Sequence, residues 1–366
     1  MYGPWKTPSC RVVREFKSDL APTEPVYTVI NTARPSVPLV HGRVFVLRNA
    51  VSTYQKPFLT YDQQIDLLRS RGLVIDDTIW ARQYLRRVGY YRLSAYTYAF
   101  RRVETSSSSR SVPIHSDHFI PGTTFEQVVD LYVLDKKLRM LALDALERIE
   151  VAVRAEIAYI LGPVDRFAQH NPQLLDQRFV KSRYPRWLQK HDDSVNRSAE
   201  TFVLHFKQQY GLPLPIWVSI EVWDFGLLSH FYSGMKGKER DAIALKYGIP
   251  DGRYMMSWLR SLNFIRNVAA HHSRLWNKNV IDQPRIPSPV EMPRFTTLHR
   301  NTVAIARPYA TFCVMKHFLD HICPTTSWPF RLATVVSEFE NIPAISIDDL
   351  GFPPSWQNHP VWASGT

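Results

Sequence analysis

From Phe125 to Leu161 the chain reads FEQVVDLYVLDKKLRMLALDALERIEVAVRAEIAYIL, with no glycine or proline to interrupt it. Within it Leu131, Leu134, Leu138, Leu141, Ala145, Ile149 and Ala152 step by three or four, so a helix carries them as one apolar stripe about six turns long. A stripe of that length needs partners along its whole extent. The pattern therefore predicts one long helix with other helices laid against it, ending at Gly162-Pro163.

The rest of the chain supplies such partners. TYDQQIDLLRSRGL opens with Thr60 as an N-cap candidate, carries Ile65, Leu67 and Leu68, and stops at Gly72. In DDTIWARQYLRRVGYYRLSAYTYAFRR, Ile79, Tyr84, Leu85 and Val88 hold helical spacing up to Gly89. Further helical patterns run through PIWVSIEVWDFGLLSHFYSGM, DGRYMMSWLRSLNFIRNVAAHHSRLWN and NTVAIARPYATFCVMKHFLDHI. Period-two strand patterning is nearly absent, which predicts an all-α bundle. Three regions stand apart. Residues 1–56 read as an irregular leader broken by prolines, with GRVFVLRN a candidate short strand. ETSSSSRSVPIHSDH reads as a mobile Ser-rich loop. Residues 324–366 read as an irregular tail packed on a body that spans 57–323.

The formal charge is +12, which favours an anionic partner such as nucleic acid, because binding releases condensed counterions. Cys10, Cys313 and Cys323 are irregularly spaced and odd in number, which suits a reducing compartment. The start MYGPWKTPSC lacks the features of a signal peptide, and no uncharged apolar run reaches the ~18 residues of a spanning helix. The expectation is a cytoplasmic protein with no membrane partner. Neither a phosphate-binding glycine loop nor a dinucleotide fingerprint is present, so nucleotide hydrolysis has no support.

FIRNVAAHHSRLWNK, residues 264–278, concentrates arginine and histidine in a few positions. At about 100° per residue, Trp258, Leu262, Ile265, Ala269, His272 and Trp276 share one stripe, which makes His272 a core histidine. His271 falls on the opposite side with Arg260, Asn263, Asn267 and Arg274, a face without an acid that suits an anion. Arg266 lies about 140° from His271 on the same wheel, so one helix does not by itself converge the two.

RNVAAH matches the arginine–four residues–histidine motif of HEPN-domain ribonucleases. RSVPIH and RFTTLH share its spacing, so context has to single out one of the three. SLNFIRNVAAHHSRLWN is preceded, in order, by DQQIDLLRSRGL, YLRRVGYYRLSAYTYAF, LALDALERIEVAVRAEIAYIL and LPIWVSIEVWDFGLLSHFY, and followed by GFPPSWQNHPVW. In this arrangement the chain resembles the Abi-like abortive-infection family of the HEPN superfamily, from about Pro57 to Trp362.

The resemblance implies a HEPN-type helical bundle with extra helices, and a metal-independent endoribonuclease acting as a toxin in phage defence. No cofactor is called for. His271 would move protons as general acid or base, and Arg266 would offset charge on the phosphorane. Asn267 would orient the imidazole or phosphate, and Arg274 would hold the RNA backbone. With one motif per chain, the implied site is shared across a homodimer, and an RNA or protein antitoxin would restrain it. The alternative is a non-catalytic RNA- or protein-binding module on the same scaffold.

Glu147 and Glu150 are candidates to supply carboxylates, although Glu150 with Arg154 also reads as a simple helix ion pair. Glu221, in an apolar setting, is a candidate anchor for Arg266. Tyr90, Tyr91, Tyr96 and Tyr98 beside Arg92 read as core aromatics before base-stacking ones. His317 and His321, with Cys323 nearby, have a zinc-compatible spacing but no evident fourth ligand, so no metal is assigned.

Overall fold

A computed structural model describes residues 55–104 and 114–363. Most of the leader, the centre of the Ser-rich segment and the last three residues lie outside that range. Helices α1 (Tyr61–Ser70), α2 (Thr78–Val88) and α3 (Tyr90–Thr97) come first. They are followed by an antiparallel strand pair, β1 (Arg101–Glu104) and β2 (Ile114–Phe119), and by α4 (Phe125–Leu161). Next come α5 (Gln177–Ser182), α6 (Tyr184–Arg197), α7 (Thr201–Tyr210), α8 (Ile216–Ser219), α9 (Phe225–Gly234) and α10 (Gly237–Lys246). The chain continues with α11 (Gly252–Ala270), α12 (Thr302–Ile305), α13 (Pro308–Ile322) and α14 (Trp328–Phe339). The fold is all-α with one small strand pair. None of the described helices is long and apolar enough to cross a membrane.

The long helix α4 is the axis of the body, and α3, α11, α13 and α14 all pack along it. A capping box starts it: the Thr124 hydroxyl accepts from the Gln127 N–H at 3.3 Å, and the Gln127 side chain accepts from the Thr124 N–H at 3.1 Å. Its expected stripe is buried from Leu131 to Ile149, with Ala152 half-buried. Each fully buried leucine contributes about 1.5–3 kcal/mol of gross transfer free energy. That gain allows the helix to bury Asp135 and Arg139 as well, which are 0% and 4% exposed.

Several expectations need correction. Part of the Ser-rich segment is strand β2, held by pairing with β1 and by Asp117, which bridges Arg71 and Arg101 at 3.1 Å each. A polar, half-exposed ribbon shows no period-two signal. The segment read as one helix from Pro215 to Met235 breaks at Trp223, and Asp224 caps α9 by accepting from the Leu227 N–H at 2.7 Å. The region between the long helix and Pro215 contains α5, α6 and α7. The stretch read as an irregular tail contains α14, whose first turn tolerates Pro329 because the proline lacks only an N–H that would be free anyway. Trp328 of α14 donates its indole N–H to the Leu141 carbonyl at 2.8 Å.

Two histidines are buried in neutral form. His191 takes the indole N–H of Trp223 on Nδ1 at 2.8 Å. His317 lies between the Arg294 guanidinium, at 3.0 Å from Nδ1, and the Tyr247 carbonyl, 2.7 Å from Nε2. Burial, and then nearby positive or imidazole groups, hold each down to about 3. The unfolded chain would titrate them near 6.5. Their contribution is therefore complete above pH 6.5 and is lost as pH falls toward 3, by up to about 1.4 kcal/mol per pH unit for each. Urea unfolding at pH 5.0 should show a loss of about 2 kcal/mol per histidine relative to pH 7.5. His317→Gln should flatten that dependence, and an unchanged slope would refute the assignment.

Candidate functional site

The motif occupies the end of α11. Asp251 caps the start of that helix, accepting from the Arg253 and Tyr254 N–H groups at 2.7 and 3.3 Å. Trp258, Leu259, Leu262, Ile265 and Ala269 are buried. The helix then stops sooner than the apolar stripe suggests. His271 is its C-cap, and His272 turns left-handed with φ 55°. The His272 N–H donates to the Ala269 carbonyl at 3.1 Å, and the Ser273 N–H to the Val268 carbonyl at 2.9 Å. This is a Schellman closure with a histidine in the place glycine usually takes. His272 is consequently exposed, not a core histidine: helical steps no longer apply beyond Ala270. His271 is exposed beside it.

The turn after the histidines is pinned from the other side. Arg92 of α3 donates to the His272 carbonyl at 2.7 Å, and Arg274 donates to the Ala95 carbonyl. Asp135, which sequence reasoning did not single out, collects the whole segment. Its carboxylate accepts from the Leu275 N–H at 3.0 Å, the Trp276 N–H at 2.7 Å and the Tyr96 hydroxyl at 2.7 Å, and it pairs with Arg139. Its one sequence signal is an acid on the buried arc of α4 with an arginine four residues on. Tyr96 is thus a core residue, and burial followed by the Asp135 charge pushes its hydroxyl pKa well up. Tyr91 is exposed on the same helix, and the Tyr98 ring lies tilted against that of His115 with ring centres 4.1 Å apart.

Arg266 faces α4. It borders a cavity of about 410 Å3 with Glu147, Glu150, Val151 and Arg154. Burial raises the Glu150 carboxyl above its ordinary range, while Arg154 and then Arg266 pull it back. The Glu150–Arg154 ion pair is present, and Arg154 also donates to the Trp223 carbonyl. Glu221 is half-exposed, 3.9 Å from Arg154, so it supports Arg154 and does not anchor Arg266 as expected. Asn267, exposed, lines a separate groove with α6 and α9. Among the described residues no hydrogen bond joins Arg266 to His271. Nor is the polar face free of acid, because Asp282 from the following loop pairs with Arg260 at 3.2 Å.

The described residues contain one cluster spaced for a metal, His170, His191 and Asp192. Its chemistry does not fit an ion. Trp223 can only donate, so Nδ1 of His191 carries no proton and Nε2 must carry one, which leaves no lone pair facing the cluster. His317 is similarly occupied on both nitrogens.

Comparison with known proteins gives one result. A protein-family model described as Abi-like protein matches residues 83–277. No curated protein matches the chain, and no solved structure does. The matched span runs from α2 through the turn held by Asp135 and includes Arg266 and His271. It covers more than half of the sequence, and the chain belongs to the Abi-like protein family.

Proposed function

We propose that this chain is a HEPN-type, metal-independent endoribonuclease that acts in abortive infection. The observation that carries the proposal is the placement of the motif. His271 stands exposed on a turn at the end of α11 that α3 and α4 hold, while Arg266, just over one turn earlier, is half-buried beside the Glu150 carboxylate. An imidazole held on a rigid turn can take the proton of a ribose 2′-hydroxyl as its oxygen attacks the adjacent phosphorus. The bond from phosphorus to the 5′-oxygen then breaks, that oxygen takes a proton from a protonated His271 imidazole, and the products are a 2′,3′-cyclic phosphate and a 5′-hydroxyl. A guanidinium offsets the charge that gathers on the phosphorane.

Arg266 and His271 diverge on one helix, and a second copy of the chain supplies the complementary pair in a homodimer. Asn267 and Arg274 act as supports. The Arg274 guanidinium is tied to the Ala95 carbonyl, so it holds the turn in addition to any contact with the RNA backbone. An enzyme of this type requires restraint, which an RNA or protein antitoxin provides.

The test is cleavage of end-labelled RNA by the full chain in EDTA. Cyclic-phosphate products should form, fall by about 10²–10⁴ in His271→Ala, and persist in His272→Ala. Intact RNA bound by wild-type protein, with no products in EDTA or in phage-infected lysate, would identify a binding module instead.

A further inference from the structure

Apart from Asn267 itself, the groove that this residue lines has no part in the chemistry above. It encloses about 700 Å3 between α6, the start of α9 and the polar side of α11. One wall is a stripe along α6. Arg183, the N-cap, and Arg186, Lys190 and Arg197 recur at intervals of three, four and seven residues, so they share one side of the helix, while Tyr184, Trp187, His191 and Val195 face the core. The stripe is about 21 Å long at 1.5 Å per residue. All four cations are exposed, and no ion pair engages any of them among the described residues.

The groove also holds two acids, and each is already engaged. Asp224 caps α9, and Asp193 accepts from the Gln189 amide at 3.0 Å. The opposite wall offers the neutral amides of Asn263 and Asn267. At its α11 side the groove reaches Asn267, whose carbonyl accepts the His271 N–H at 3.0 Å.

We infer that this groove is the track along which the backbone of single-stranded RNA approaches His271, an inference that rests on the nuclease reading for the identity of its ligand. A line of separate, unpaired cations fits a polymer with one negative charge per unit. A single phosphate would need its cations converged on one point. Arginine forks take phosphate oxygens in pairs, and the uncharged amides opposite leave room for sugar and base edges without repelling them.

The experiment measures binding of a fluorescein-labelled single-stranded 2′-O-methyl oligonucleotide to the full chain. That probe lacks the attacking hydroxyl, so binding is read whether or not the chain cuts RNA. Wild type is compared with Arg183→Gln/Arg186→Gln/Lys190→Gln and with Arg86→Gln/Arg87→Gln/Lys238→Gln, which removes the same charge from exposed positions elsewhere. The groove variant should bind more weakly and lower the slope of log affinity against log salt by about 2, from roughly 0.7 per lost phosphate contact on a single strand. The control variant should keep the wild-type slope. Equal losses in both variants would reduce the effect to net charge and overturn the proposal. Undiminished binding by the groove variant would overturn it too, and would leave the groove to an acidic protein partner. Loss of cleavage with this binding intact would count against the nuclease reading alone.

Discussion

Asp135→Ala is expected to destabilise the fold by about 3–5 kcal/mol, read as a lower urea midpoint at unchanged slope. The substitution leaves Arg139 charged, buried and unpaired, which is the dominant penalty. It also strands the N–H groups of Leu275 and Trp276, each worth about 1–3 kcal/mol when buried without a partner, though these losses are not additive. The damage should be local before it is global. Trypsin should cut after Arg274 faster in the variant, because that peptide lies in the released turn. Asp135→Ala/Arg139→Met should recover part of the stability but none of the protection at Arg274, since removing the arginine cures the stranded charge and leaves the amides unheld. A variant as stable and as resistant as wild type would show that the buried carboxylate does not hold the turn.

Arg266→Ala should lower the rate of RNA cleavage by about 10²–10³, the usual result of removing one group that stabilises developing charge. Its fold should survive, because Glu150 keeps Arg154 as an ion-pair partner and the cavity beside Arg266 is already open. Arg266→Lys should recover little, since an ammonium offers a point charge where a planar fork meets two oxygens. Single-turnover rates on end-labelled RNA, set beside thermal melts, separate the two effects. Activity above one-tenth of wild type in a folded Arg266→Ala protein would exclude the role assigned to this arginine.

Local pattern carried some of this architecture and missed other parts for physical reasons. Helix α4 is legible because a capping box, a Gly- and Pro-free run and a regular stripe all agree. The buried face of α11 is legible on the same grounds, but its end is not. Chains usually mark a left-handed closure with glycine, and here His272 adopts it, so in the sequence the stripe reads on through to Trp276. Of the candidate site, Arg266 and His271 are legible from motif and context. Asp135 did not, because its importance lies in two backbone amides 140 and 141 residues away. The groove was hidden for a related reason. Its cations sit in a region whose prolines and arginines obscure a helix, and its opposite wall comes from the distant α11.

The long helix also sets a length standard for the rest of the chain. It meets α11 where Glu150 lies near Arg266, and the segment after α11 where Asp135 receives Leu275 and Trp276, so the two stretches run in opposite directions. The two acids are about 22 Å apart along one rigid rod. One codon inserted between them would turn either acid by about 100° relative to the other, and no adjustment of α11 could restore both contacts. Lineages of this protein should accordingly keep the spacing from Asp135 to Glu150 the same to the residue.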